Sequence, residues 1–226
     1  MSIWSRIAEA IAALRAGESL AEVFDRLRTP PQRSIAFTIA VIALGAKMAK
    51  ADGQVTRDEV TAFREVFHIP REEEANAARL FNLARQDVAG FEEYAHRVAR
   101  MFDSAEGTLT DLIEGLFYIA VADGEYHPSE DDFLHRVATI FGLSERDFRS
   151  IRTRFVPDAE PDPYQVLGID ADATLTQARE AWRRMVRESH PDRVMARGLP
   201  EEAIRMAEKR MIAVNRAWEQ ISRNAA

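Results

Sequence analysis

Apolar residues recur at helical spacing along the whole chain, and no alternating strand pattern survives inspection. Ile3, Ile7, Ile11 and Leu14 share one face of a first helix that Gly17 stops. Ser19 with Glu22 has capping-box spacing and starts a second short helix, with Leu20, Val23, Phe24 and Leu27 on its apolar side; Thr29-Pro30-Pro31 ends it. A helical block follows from about residue 32 to 155. Within it the run Ile35 to Ala46 is uncharged but shorter than the roughly 20 residues a membrane-crossing helix needs, so it reads as a buried core helix.

The block contains an internal repeat. Ala51-Asp52-Gly53 is followed by Glu59, and Ala122-Asp123-Gly124 is followed by Glu130, each preceded by an apolar helix (Ile35, Ile39, Ile42; Leu112, Leu116, Ile119). Each copy predicts a long buried helix, an Asp-Gly stop and a capped amphipathic helix. Thr56 with Glu59, and Ser129 with Asp132, have the spacing of a capping box. Two such hairpins packed together make one all-α unit.

Val156 to Pro163 (VPDAEPDP) carries three prolines and reads as a linker. Beyond it, Asp162-Pro163-Tyr164 opens a short helix with Val166 and Leu167, closed by Gly168. Thr174 and Gln177 form a capping box for a longer helix, from Leu175 to about Ser189. Ala178, Ala181, Trp182, Met185 and Val186 share one face of it, whereas Arg179, Arg183 and Arg187 lie four residues apart on another with Arg184 beside them. The helix ends in His190-Pro191-Asp192-Arg193, where proline forces a turn. A last helix, about Pro200 to Ser222, is expected to bury Ile204, Ala207, Met211, Val214, Trp218 and Ile221, giving an antiparallel hairpin with His-Pro-Asp at its tip.

Composition narrows the choices. The 226 residues are 46% hydrophobic and 30% charged, enough for both a core and a soluble surface. No cysteine is present, which removes disulfides, thiol catalysis and cysteine-zinc sites. Thirty basic against 37 acidic residues, a net charge of −7, argue against general nucleic-acid binding. His68, His96, His127 and His135 lack metallohydrolase spacing, and neither a phosphate-cradling glycine loop nor a Gly-x-Ser-x-Gly elbow occurs, so the chain is not expected to be an enzyme. The N-terminus, with Glu9 inside its apolar stretch, does not read as a signal peptide. Trp4 beside Ile3, Ile7 and Ile11 suits either packing on the central unit or a membrane surface.

DPYQVLGI, AREAWRRMVRESHPDR and VNRAWEQI, in that order and spacing, resemble the J domain of the DnaJ family over roughly 60 residues. The paired Ala-Asp-Gly repeat resembles the TerB-like domain, and the two in succession resemble the DjlA family of co-chaperones. The resemblance implies an all-α chain: N-terminal helices over 1–31, a TerB-like bundle with two pseudo-repeats over 32–155, a linker over 156–161 and a J-domain hairpin over 162–226. It also implies stimulation of ATP hydrolysis in a DnaK-type chaperone. His190, Pro191 and Asp192 would contact that partner, and Arg179, Arg183, Arg184, Arg187 and Arg193 would steer the helix onto an acidic surface. The central domain would recruit a client, a further partner or an ion, none of which the sequence identifies. Two family features are missing: the N-terminal membrane span and a short fourth J-domain helix. The cytoplasm is therefore the expected compartment, with peripheral attachment to the inner membrane as the alternative.

Asp52, Glu59, Asp123 and Glu130 form a second candidate site. Carboxylates converging from two repeats suit a hard cation such as calcium, although the spacing is not that of an EF-hand and Asp-Gly is also an ordinary helix stop. No cofactor is required for the co-chaperone reading. The rival reading is a metal-binding stress-response scaffold or sensor with an accessory J domain.

Overall fold

The computed structural model describes residues 3–16, 18, 22–23, 33–51, 74–86, 90–102, 107–122, 124–156 and 161–224. Among them there are eleven helices and no strand. In chain order these are α1 (Ile3–Arg15), α2 (Arg33–Ala51), α3 (Glu74–Gln86), α4 (Phe91–Phe102), α5 (Thr108–Ala120), α6 (Pro128–Ile140), α7 (Glu145–Phe155), α8 (Pro163–Val166), α9 (Leu175–Glu188), α10 (Pro191–Ala196) and α11 (Glu201–Asn224).

The apolar run near residue 40 is the axis of the molecule. Every residue from 35 to 49 on α2 is buried, because α1, α3, α4, α5 and α6 all pack against it. A helix apolar on all sides must be enclosed, and protein encloses this one. Among the described residues, no helix is long and apolar enough to cross a membrane. Gly45 and Gly115 lie where α2 and α5 cross: a Cβ on Gly45 would lie 3.4 Å from Ile119 Cδ1, and one on Gly115 would lie 3.6 Å from a methyl of Val41, ordinary packing distances. Lys47, the one charge within the buried stretch of α2, lays its ammonium 4.8 Å from the centre of the Tyr94 ring, where the aromatic face offers partial compensation.

On α1, Ile7 and Ile11 are buried and Leu14 is partly so, in agreement with the predicted stripe. The side chains of Ile3 and Trp4 lie outside the described residues. So does almost all of the segment around Ser19, and with it the predicted second helix. The first Asp-Gly repeat beyond Ala51, including Asp52, Thr56 and Glu59, is also outside.

The second repeat is described except for Asp123. The expected Asp-Gly stop is corrected: α5 ends at Ala120 with Val121 as its C-cap, and Gly124 follows in the loop, in the left-handed region at φ 87°. The cap of α6 differs from the expected Ser129–Asp132 box: the helix starts two residues earlier, with His127 as its N-cap and Pro128 as its first residue. Proline has the dihedral the first turn needs and no N–H to leave unsatisfied, so it fixes the start. Glu130 is therefore the residue that reaches back, its Oε2 accepting from the His127 backbone N–H at 2.9 Å. Ser129 in the first turn and Asp132 just beyond it are exposed.

From α8 onward a smaller core forms from Val166, Leu167, Ala178, Ala181, Val214, Ala217 and Ile221. Trp182 and Trp218 stack over it, ring centres 5.3 Å apart, and Trp182 Nε1 donates to Asn215 Oδ1 at 2.8 Å. The two tryptophans thus close this core, as their apolar-face positions predict. Helix α8 rests on α7, and α11 rests on α5. Val194, Leu199, Ala203, Met206 and Ala207 then enter the same large core as the central helices.

Candidate functional site

Helix α9 forms where the sequence predicts it. Thr174 Oγ1 accepts from the Gln177 N–H, while Gln177 Oε1 accepts from the Thr174 N–H at 2.8 Å, so both arms of the capping box are made. Ala178 and Ala181 face the smaller core, and Trp182, Met185 and Val186 are partly buried against it. Arg179, Arg183, Arg184 and Arg187 are exposed. Burial of the small and apolar face leaves the guanidiniums a solvent face of their own.

The tripeptide that ends α9 is more ordered than a simple turn. Ser189 caps α9, its N–H donating to Met185 O at 2.9 Å. His190 is then the N-cap of α10, a short helix that proline at its first position nucleates and that sequence periodicity did not predict. His190 Nδ1 accepts the Asp192 backbone N–H at 3.2 Å, which assigns the proton of the neutral ring to Nε2. The side chains of His190 and Asp192 are 54% and 79% exposed, and Arg193 is exposed beside them. The exposed side chains form an edge of donors, one carboxylate and a row of cations, the chemistry of a protein-recognition surface.

Behind this edge lies a feature not anticipated from the sequence. Asp111 and Glu114 stand on α5 inside the apolar run TLTDLIEGLFYIA and are fully buried. Arg210 of α11 ion-pairs with both, at 3.1 Å from Glu114 Oε2, and Arg154 of α7 pairs with Glu114. Arg154 also donates from Nη1 to Ser150 Oγ at 3.1 Å, and Ser150 Oγ donates in turn to the Val166 carbonyl at 2.8 Å. Arg197 joins the network from the C-cap of α10, its Nη1 3.0 Å from Asp111 Oδ2. Three guanidiniums thus meet two carboxylates across the junction of α5 and α7 with α10 and α11. A cavity of about 430 Å³ opens beside them, with Lys209 Nζ donating to Tyr118 Oη at 2.9 Å on its lining.

Burial and the neighbouring charges pull the proton affinities of this seam in different directions. Desolvation pushes the Asp111 carboxyl above its ordinary value of 3.8, against the pull of Arg210 and Arg197. Desolvation likewise lowers Arg154, which faces a single carboxylate, Glu114. For Arg210 the same burial is outweighed by the combined attraction of Glu114 and Asp111, and its affinity for the proton rises.

The pattern carried a signal for these residues. Acids at i and i+3 on an apolar helix, and an arginine at the spacing of Ala207 and Val214, are charges placed where a core should be. The expectation that Met211 is buried is corrected accordingly: Met211 is only partly buried, and Arg210 beside it is enclosed. Ile204 and Trp218 are also partly buried, whereas Ala207, Val214 and Ile221 are enclosed as expected.

Of the carboxylates proposed as metal ligands, Asp52, Glu59 and Asp123 lie outside the described residues. Glu130 is buried and spends one oxygen on the cap of α6. Among the described residues, no group of three or more His, Asp or Glu side chains stands close enough to hold a metal ion.

Comparison with known proteins adds the relationships. The family model described as tellurite resistance protein TerB matches residues 38–153, about half the chain, and the DnaJ domain model matches residues 162–226. A protein named co-chaperone protein DjlA from Vibrio vulnificus is 27% identical, with 85% of this chain and 79% of the relative covered. Its namesake from Coxiella burnetii is 28% identical, with coverage of 77% and 72%. The namesake from Photobacterium profundum is 27% identical, with coverage of 84% and 78%. No solved structure matches significantly. Two domain matches in the order the relatives share, on an all-helical fold, lead to one conclusion: the chain belongs to the TerB family, in its DjlA-like form with a DnaJ domain following.

Proposed function

We propose that this protein is a co-chaperone that stimulates ATP hydrolysis by a DnaK-type heat-shock chaperone. The reading is supported above all by the edge in which His190 caps α10, Pro191 opens it and Asp192 follows exposed, while the arginines of α9 face solvent beside them. The nucleotide chemistry belongs to the partner. Arg179, Arg183, Arg184, Arg187 and Arg193 raise the encounter rate with an acidic surface, and His190 and Asp192 then offer a donor and a carboxylate to it. Docking favours the partner's hydrolysis-competent state, because only a difference in affinity between two states shifts their populations. The central domain recruits the client or a further partner.

The test is single-turnover ATP hydrolysis by a purified DnaK-type chaperone with this protein added, intact or as His190→Gln. Stimulation by the intact chain and its loss in a folded variant are expected. Equal stimulation by both would remove the His-Pro-Asp edge from the mechanism.

A further inference from the structure

The His-Pro-Asp loop is held from behind by one side chain, and that side chain is held by the other domain. Arg197, with a side chain only 14% exposed, follows α10 directly. Its Nη2 donates to the carbonyl of Glu188 at 3.0 Å, two residues before His190. Its Nε donates to the carbonyl of Arg193 at 3.4 Å, one residue after Asp192. One planar guanidinium therefore spans both arms of the loop, a geometry that a lysine ammonium cannot reproduce. The remaining nitrogen, Nη1, faces Asp111 Oδ2 on α5 at 3.0 Å. Gly107, which precedes α5, makes room for the group: a Cβ there would lie 2.4 Å from Nη1, and the backbone sits in the left-handed region at φ 81°.

We infer that Arg197 is a positioning residue for the His-Pro-Asp loop and that Asp111 of the central domain sets its orientation, so that the geometry offered to the chaperone depends on docking of the J domain against α5. Asp111 is fully buried and Arg197 only 14% exposed, so neither belongs to the exposed edge. Arg197 acts through the carbonyls that flank the loop and Asp111 acts through Arg197, as a supporting shell does for a site held to a fraction of an ångström. The exposed arginines of α9 are untouched by the clamp, so encounter and positioning are separable. The inference rests on the co-chaperone reading for its activity readout, but not for its structural one.

The experiment uses the full chain and four variants: Arg197→Gln, Arg197→Lys, Asp111→Asn and the double Asp111→Asn/Arg197→Gln. Single-turnover hydrolysis by the DnaK-type chaperone is titrated to saturation with each. Arg197→Gln is expected to lower maximal stimulation on the order of tenfold, the scale of a misplaced reacting group, with less change in half-saturation. Asp111→Asn should move it in the same direction by less, and the double variant should be no worse than Arg197→Gln, because the two act as a unit. Arg197→Lys keeps the charge opposite Asp111 and should fail as Gln does; full rescue by Lys would overturn the inference. In parallel, backbone amide NMR of the full-length Asp111→Asn protein should show shifted or broadened signals at Glu188, Ser189, His190, Asp192 and Arg193 with the first turns of α9 unchanged. Unchanged loop amides would also overturn it. If the intact protein gives no stimulation, the co-chaperone reading fails while the amide spectra still decide the clamp.

Discussion

Arginine and aspartate are used twice in this molecule, to opposite ends. At the seam between α5, α7 and α11, Arg154 and Arg210 are enclosed with Asp111 and Glu114. On α9 and α10, Arg179, Arg183, Arg187, Arg193 and Asp192 stand in solvent. Buried charges have lost their water and depend on one another, so each fixes the geometry of its partners. Exposed charges keep their water, contribute little to stability and remain available to another molecule. Arg197 lies between the two sets, pairing inward with Asp111 and donating to the two carbonyls that frame the exposed loop.

Removing one partner from the seam should break the comparison most. Glu114→Ala leaves Arg154 and Arg210 enclosed with one carboxylate fewer, and a loss of about 3–5 kcal/mol in folding stability is expected from denaturant unfolding. A loss near that of a surface substitution would mean that water reaches the seam through the neighbouring cavity and that its charges behave as exposed ones do.

The next effect is a pH dependence confined to the buried set. Folding raises the pKa of Asp111 above 3.8, so the stability it contributes is fully present below that value and is lost as pH rises through its folded pKa. The intact protein should therefore gain stability relative to Asp111→Asn as pH falls from neutral toward 4. Thermal melts of the pair across that range measure the difference, and an opposite slope would show that Arg210 and Arg197 outweigh desolvation.

The smallest effect on stability belongs to the exposed set. Arg183→Ala with Arg187→Ala should change stability by no more than about 0.5 kcal/mol per site. The pair should nevertheless slow association with the chaperone several-fold at low salt, and the deficit should shrink as ionic strength rises. Stopped-flow association at two salt concentrations checks this; a salt-independent deficit would mean that the arginines pack against the partner and do not steer toward it.

Much of the fold was legible because helices are locally encoded. The buried character of α2 follows from its uncharged, largely apolar run, the start of α9 from Thr174 and Gln177, and the exposed arginine row from spacing alone. The start of α6 was misread by two residues because Ser129 and Asp132 mimic a capping box that Pro128 pre-empts. Helix α10 was missed because six residues are too few to show a period.

The sequence by itself determined the helical class, the order of the two units and the His-Pro-Asp edge, since each depends on residues within a few positions of one another. Only the tertiary structure decided that residues far apart in the chain share one charged seam. Arg210 and Asp111 are 99 positions apart, and no local rule pairs them. Burial then decided their roles, because desolvation is a property of the surroundings, and the surroundings exist only once α5, α7 and α11 have packed.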